Sequence, residues 1–211
     1  MLNISPPITE IELRRALLRT LEGANYLSER LVVEELFVDG RGARVDVAVI
    51  TDSLVGFEIK SDFDNYNRLS NQVHAFNRVF EQITIVVASS HASKVDQVVP
   101  SWWGIVVADR DEKGEVQLYG IRHPTKNQLR DTYSLASLLW RDEAIDVLSS
   151  VAPSASMLNK NKGWLFDQLS HNFNVEQLTL AVTTRLKHRK AWRDRSPFAP
   201  SDDLLHLAAT S

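Results

Sequence analysis

The sequence predicts an α/β protein with a mixed central sheet, in the order αβββαβ, extended by αββ and completed by a C-terminal helical region. Three observations predict it. Apolar spacing switches between the helical and the strand period several times within the first 124 residues. Ile83 to Ala88 is a nearly continuous β-branched run, the pattern of a strand buried on both faces in parallel pairing. After Pro124 only helical spacing recurs.

The elements follow in order. Ile8, Ile11, Leu13, Ala16, Leu17, Leu18 and Leu21 mark a first helix, with Thr9 as N-cap and Gly23 as stop. Arg30 to Val38 and Ala43 to Ile50, joined by the turn residues Asp39, Gly40 and Gly42, read as antiparallel strands, and Leu54 to Lys60 as a third. Tyr66 to Phe80 returns to helical spacing, with Asp64 or Asn65 available to cap it. Then come the strand Ile83 to Ala88, a short helix over Val95 to Val99, and the strands Gly104 to Ala108 and Glu115 to Ile121. The helical region comprises Leu135 to Leu148, Trp164 to Phe173 and Val175 to Trp192, the last capped by Asn174. The expected layout is a core with its extension over 1–124, a helical region over 125–196 and a loose tail over 197–211.

Composition narrows the class. The 211 residues contain no cysteine, which excludes disulfides and thiolate metal sites. With 44% hydrophobic and 24% charged residues, the chain has an ordinary globular balance. No apolar run approaches a membrane span, and Met1 to Ser5 lacks the layout of a signal peptide, so a cytoplasmic protein without membrane association is expected. Residues 183–211 hold six basic against three acidic side chains, a net of +3, which leaves −6 on the first 182. Such a basic stretch is either a phosphate-contacting surface or a solvated helix face.

Chemistry concentrates at Asp46, Glu58 and Lys60. Charges are costly in strands as apolar as Val45-Asp-Val-Ala-Val-Ile50 and Val55-Gly-Phe-Glu-Ile-Lys60, and period 2 puts Glu58 and Lys60 on one face. Either a divalent cation compensates the acids, or Lys60 forms a structural ion pair with one of them, or all three simply lie on a solvated sheet face.

The string Arg44-Val-Asp46, the eleven residues that separate Asp46 from Glu58, and Glu58-Ile-Lys60 resemble the active-site signature of the PD-(D/E)XK nuclease superfamily. The αβββαβ order resembles its restriction-endonuclease-like core. Val45-Asp46 departs from the eponymous Pro-Asp. The resemblance implies that Asp46, Glu58 and the Ile59 carbonyl bind Mg2+ or Mn2+ and that Lys60 assists the attacking water. It adds an upstream acid and a polar residue on the following helix, matched here by Glu35 and Gln72. Glu34 and Glu35 are adjacent in a strand and should face opposite ways, so only one can serve; Glu35 is preferred and Glu34 stays open. Glu58-Ile-Lys-Ser-Asp62, Arg68-Leu69, Gln72, Val99-Pro-Ser-Trp-Trp-Gly-Ile105 and Leu138-Leu-Trp-Arg-Asp-Glu143 are similar to a bacterial nuclease-fold family associated with phage and mobile elements.

The expected function is therefore metal-dependent hydrolysis of DNA phosphodiesters, with Arg44, Ser61, Arg68, Gln72, Arg185 and Arg189 as nucleic-acid contacts. A noncatalytic nucleic-acid- or protein-binding adaptor on the same fold is the alternative, and a homodimer or protein partner is left open. Trp102 and Trp103 are expected to be mainly structural. The six histidines show no metal-ligand spacing, and no Gly-rich phosphate loop occurs.

Overall fold

The structure, a computed structural model, describes residues 6–23, 30–38 and 42–189. The Asp39-Gly40 turn, Lys190, Trp192, Arg193 and the 197–211 tail lie outside the described residues.

Six strands form one sheet in sequential order. β1 (Leu31–Val38), β2 (Ala43–Ile50) and β3 (Leu54–Lys60) make an antiparallel meander. β4 (Gln82–Ala88) and β5 (Gly104–Arg110) continue parallel to β3, and β6 (Val116–Arg122) closes the sheet antiparallel. The sheet is mixed, as expected. Alternation along β4 serves two cores: Ile83, Ile85 and Val87 pack on one side, Val86 and Ala88 on the other.

α1 (Glu10–Gly23) covers the second face, burying Leu13, Ala16, Leu17 and Leu18 against Val47, Ile59, Val86 and Ala108. Its start is a capping box. The Thr9 hydroxyl accepts from the Glu12 N–H, and the Glu12 carboxylate takes the Thr9 N–H at 3.0 Å. Asp62, just past β3, accepts the Ile8 N–H at 2.6 Å and donates its own N–H to the Ile8 carbonyl. The first turn of α1 is thereby tied to the Lys60 end of β3.

The other face carries α2 (Leu69–Asn77) and the helices α4 (Thr132–Ala136), α5 (Arg141–Ser149), α6 (Lys162–Asn172) and α7 (Val175–His188), while α3 (Ala92–Val98) links β4 to β5. Leu135, Leu139, Leu148, Leu165, Leu178 and Leu186 share one core with Phe76, Phe80 and Trp103. Trp103 is fully buried, stacks on Phe76 and donates to Asn77 Oδ1; Trp102 packs partly buried beside it. The structural expectation for this pair holds.

Two helices differ from expectation. α2 is shorter than Tyr66 to Phe80 and starts after Arg68 with no side-chain cap, because Asp64 instead accepts the N–H and hydroxyl of Ser61. Leu135 to Leu148 is two helices. The Ser137 hydroxyl bonds back to the Ser134 carbonyl, Trp140 turns extended, and Glu143 takes the Trp140 N–H to open α5. Asn174 caps α7 as expected, with Gln177 completing the box. Among the described residues no helix is long and apolar enough to cross a membrane.

Candidate functional site

The sheet registers place three acids in one transverse row. β2 and β3 pair from Ile50↔Leu54 to Val47↔Phe57 and no further, so Asp46 and Glu58 stand opposite each other where the strands part. The Asp46 carboxylate fills that gap by accepting the Ile59 N–H through Oδ2 at 2.7 Å. On the other side, the pairs Glu34↔Val47 and Leu36↔Val45 bracket Glu35 opposite Asp46.

Glu58 is 1% exposed. Its Oε1 accepts from Lys60 Nζ at 2.5 Å and from Gln72 Nε2 at 2.6 Å, while Oε2 is buried without a hydrogen-bond partner. Burial, reinforced by the Asp46 charge, pushes the Glu58 carboxyl up to about 7, against the pull of Lys60 and Gln72. Burial also raises Asp46, opposed by the Ile59 N–H and by Arg14. Gln72 reaches the site because α2 is pinned at its far end: Asn127 donates to the Asn77 and Phe80 carbonyls, and Arg78 pairs with Asp131.

The structure brings Asp46, Glu58, Lys60, Gln72 and Glu35 together and adds two residues absent from the sequence reading, Glu10 and Arg14 of α1. Ligand atoms of Glu10, Glu35 and Asp46 lie within 4.8 Å of one another. Arg14 donates to Glu10 (2.6 Å), Glu35 (2.8 Å), Glu34 (3.1 Å) and the Asp46 carbonyl (3.0 Å). Glu10 and Arg14 are an ordinary i,i+4 pair in sequence; the docking of α1, through the Ile8–Asp62 tether and through Arg110 on the Pro6 and Pro7 carbonyls and Glu12, aims them at the row.

Three expectations need correction. Glu34 and Glu35 do not diverge: both reach Arg14, because Glu35 adopts a left-handed conformation (φ 60°) that breaks strand alternation. Ser61 is buried, and its hydroxyl is spent on Asp64 in the turn after β3, which removes it as a nucleic-acid contact. Within the basic helix Arg189 is likewise committed to the protein, whereas Arg185 and Lys187 make ion pairs with exposed acids. Arg185 pairs with Asp146, and Lys187 with Asp52 in the β2–β3 turn, the end of β3 away from Lys60. Arg189 is 6% exposed, forks onto Glu143, takes the Leu138 carbonyl left by the helix break and covers the Trp140 ring.

Arg68 and Arg44 remain on the surface around the site. Arg68 is exposed at the start of α2, one turn before Gln72. Arg44 is half exposed, pairs with Glu35 and lies over Phe37.

The family model for bacteriophage P4 protein cII matches residues 6–198. The chain belongs to that family. Protein cII of Enterobacteria phage P4 is 28% identical over 182 residues, covering 80% of this chain and 69% of the relative. No solved structure matches. The phage association expected from the sequence is met at the level of family, and the match to P4 cII takes in both faces of the sheet together with α4 to α7.

Proposed function

We propose that this member of the P4 cII family is a metal-dependent nuclease of the PD-(D/E)XK type, acting on DNA. The observation that carries the reading is the row Glu35–Asp46–Glu58 at the parting of β2 and β3, with Lys60 on Glu58. The donor chemistry suits Mg2+ or Mn2+: the carboxylates of Asp46 and Glu58 and the Ile59 carbonyl are hard oxygen ligands, and Glu10 and Glu35 offer further carboxylate oxygens on the Arg14 side of Asp46. The partnerless Oε2 of buried Glu58 is a ligand oxygen without a ligand. When bound, the metal polarises the scissile phosphate and makes water a stronger nucleophile at neutral pH.

The protein's own groups divide the remaining work. Gln72 and Lys60 hold Glu58 through Oε1 and so leave Oε2 to bind the metal. The Ile59 N–H fixes the orientation of Asp46. Lys60 Nζ, which also donates to Gln72 Oε1, turns its remaining proton toward the phosphate and offsets charge as phosphorus becomes pentavalent. The attacking water gives up a proton to solvent as its oxygen bonds to phosphorus, the bond to one ester oxygen breaks, and that oxygen takes up a proton from solvent. Arg68 and Arg44 lie on the approach to the row and contact flanking phosphates.

One observation favours the alternative, a noncatalytic nucleic-acid- or protein-binding adaptor: Arg14 supplies positive charge to the acids without any metal. Incubation with single-stranded, duplex and branched DNA and with RNA, in Mg2+ or Mn2+, tests the two readings. Metal-dependent cleavage of at least one form supports the nuclease; binding without cleavage of any form supports the adaptor.

A further inference from the structure

The two terminal nitrogens of Arg14 divide their partners in an informative way. Nη2 lies 2.6 Å from Glu10 Oε1, 2.8 Å from Glu35 Oε1 and 3.6 Å from Asp46 Oδ1. These three carboxylates are the trio able to converge on one ion. Nη1 turns to Glu34 Oε2 and the Asp46 carbonyl, neither of which belongs to the trio's ligand atoms. One nitrogen thus sits among the ligand oxygens while the other is anchored beside them. The Arg14 side chain is 14% exposed, and it meets a half-exposed Glu10 and the partly buried Glu34, Glu35 and Asp46.

We infer that Arg14 is a displaceable internal cation, whose Nη2 and a divalent metal compete for the Glu10–Glu35–Asp46 trio while Glu34 retains the guanidinium through Nη1. This rests on the metal-dependent reading proposed above and adds its regulation. A divalent ion sits about 2.0–2.1 Å from its carboxylate oxygens, inside the space that Nη2 fills. A guanidinium cannot shed its charge near neutral pH, so it makes room only by moving. Glu58 Oε2, outside the trio and across Asp46 from it, is buried and partnerless, an acceptor that Arg14 does not serve. In the metal-free protein Arg14 therefore supplies the trio's positive charge, and the metal concentration needed for occupancy is set by that competition.

The test is calorimetric titration of Mn2+ into the full-length wild type, Arg14→Gln and Arg14→Lys, paired with melting temperatures without and with Mn2+. Removing a like charge from contact distance should tighten Mn2+ binding in Arg14→Gln by at least about tenfold. The same variant should melt below wild type without metal and recover with it. Arg14→Lys, which keeps the charge but loses the fork, should fall between, and it carries the comparison if Arg14→Gln does not fold. Mn2+ binding by the wild type, together with equal or weaker binding in both variants, overturns the competition and leaves the metal-dependent reading standing. No binding by any of the three chains overturns both, a result recognisable because wild type itself fails.

Discussion

Glu35 stands directly across the β1–β2 ladder from Asp46, in a left-handed backbone conformation with φ 60°. A non-glycine residue there is strained, and the strain is what turns Glu35 onto the same guanidinium as Glu34. Glu35→Gly and Glu35→Ala both lose the carboxylate but differ in backbone freedom. Urea denaturation should find the glycine variant more stable than the alanine variant by about 1 kcal/mol. Equal stabilities would show that the left-handed turn is not maintained in solution.

The raised Glu58 carboxyl has a consequence for pH. Its folded value of about 7 exceeds the reference value of 4.5, so the native state holds the extra proton between them. Without metal, stability should therefore fall as pH rises from about 4.5 toward 7, with Asp46 contributing in the same sense. Glu58→Gln should flatten that fall in denaturation curves collected across the window. Mn2+ binding should run the opposite way and tighten with rising pH, because the ligand carboxylate must lose its proton. An unchanged pH slope in the Gln variant would contradict the assigned environment.

Arg189 and Trp103 should matter for stability. Removing Arg189 leaves Glu143, itself little exposed, without its charge partner, and Arg189→Ala should cost about 3–5 kcal/mol in chemical denaturation. Trp103→Ala should lose about 3–5 kcal/mol by opening a cavity beside Phe76. Variants with wild-type stability would return Arg189 to the surface.

The salt dependence of DNA binding separates the arginines. Neutralising Arg68, exposed at the start of α2, should reduce the log–log salt slope by about 0.9 for a duplex contact. Arg185→Gln should leave the slope unchanged, because its partner is Asp146. The reverse pattern would move the binding surface to α7.

Much of this molecule is legible in its sequence, for physical reasons that also explain the rest. The strands announce themselves through β-branched runs, and Asp46, Glu58 and Lys60 are visible because charge is anomalous in such runs. Glu10 and Arg14 are not, because acids and arginines are ordinary on an amphipathic helix and it is the docking of α1 through Asp62 and Arg110 that directs them inward. The left-handed Glu35 carries no glycine or asparagine to signal it. The break between α4 and α5 is hidden because Leu138 and Leu139 continue helical spacing through it. Arg189 reads as part of a solvated or DNA-facing basic helix until Glu143 and Trp140 are seen to enclose it.

The most direct test of the proposed chemistry is a paired measurement of Mn2+ binding and DNA cleavage on wild type, Asp46→Asn, Glu58→Gln and Lys60→Ala. Wild type should bind Mn2+ and cleave, and the two carboxylate variants should lose both activities. Lys60→Ala should keep metal affinity while losing turnover by roughly a hundredfold or more, since an ammonium is not a ligand but balances charge in the transition state. A folded wild type that neither binds divalent metal nor cuts any nucleic acid would contradict the nuclease reading.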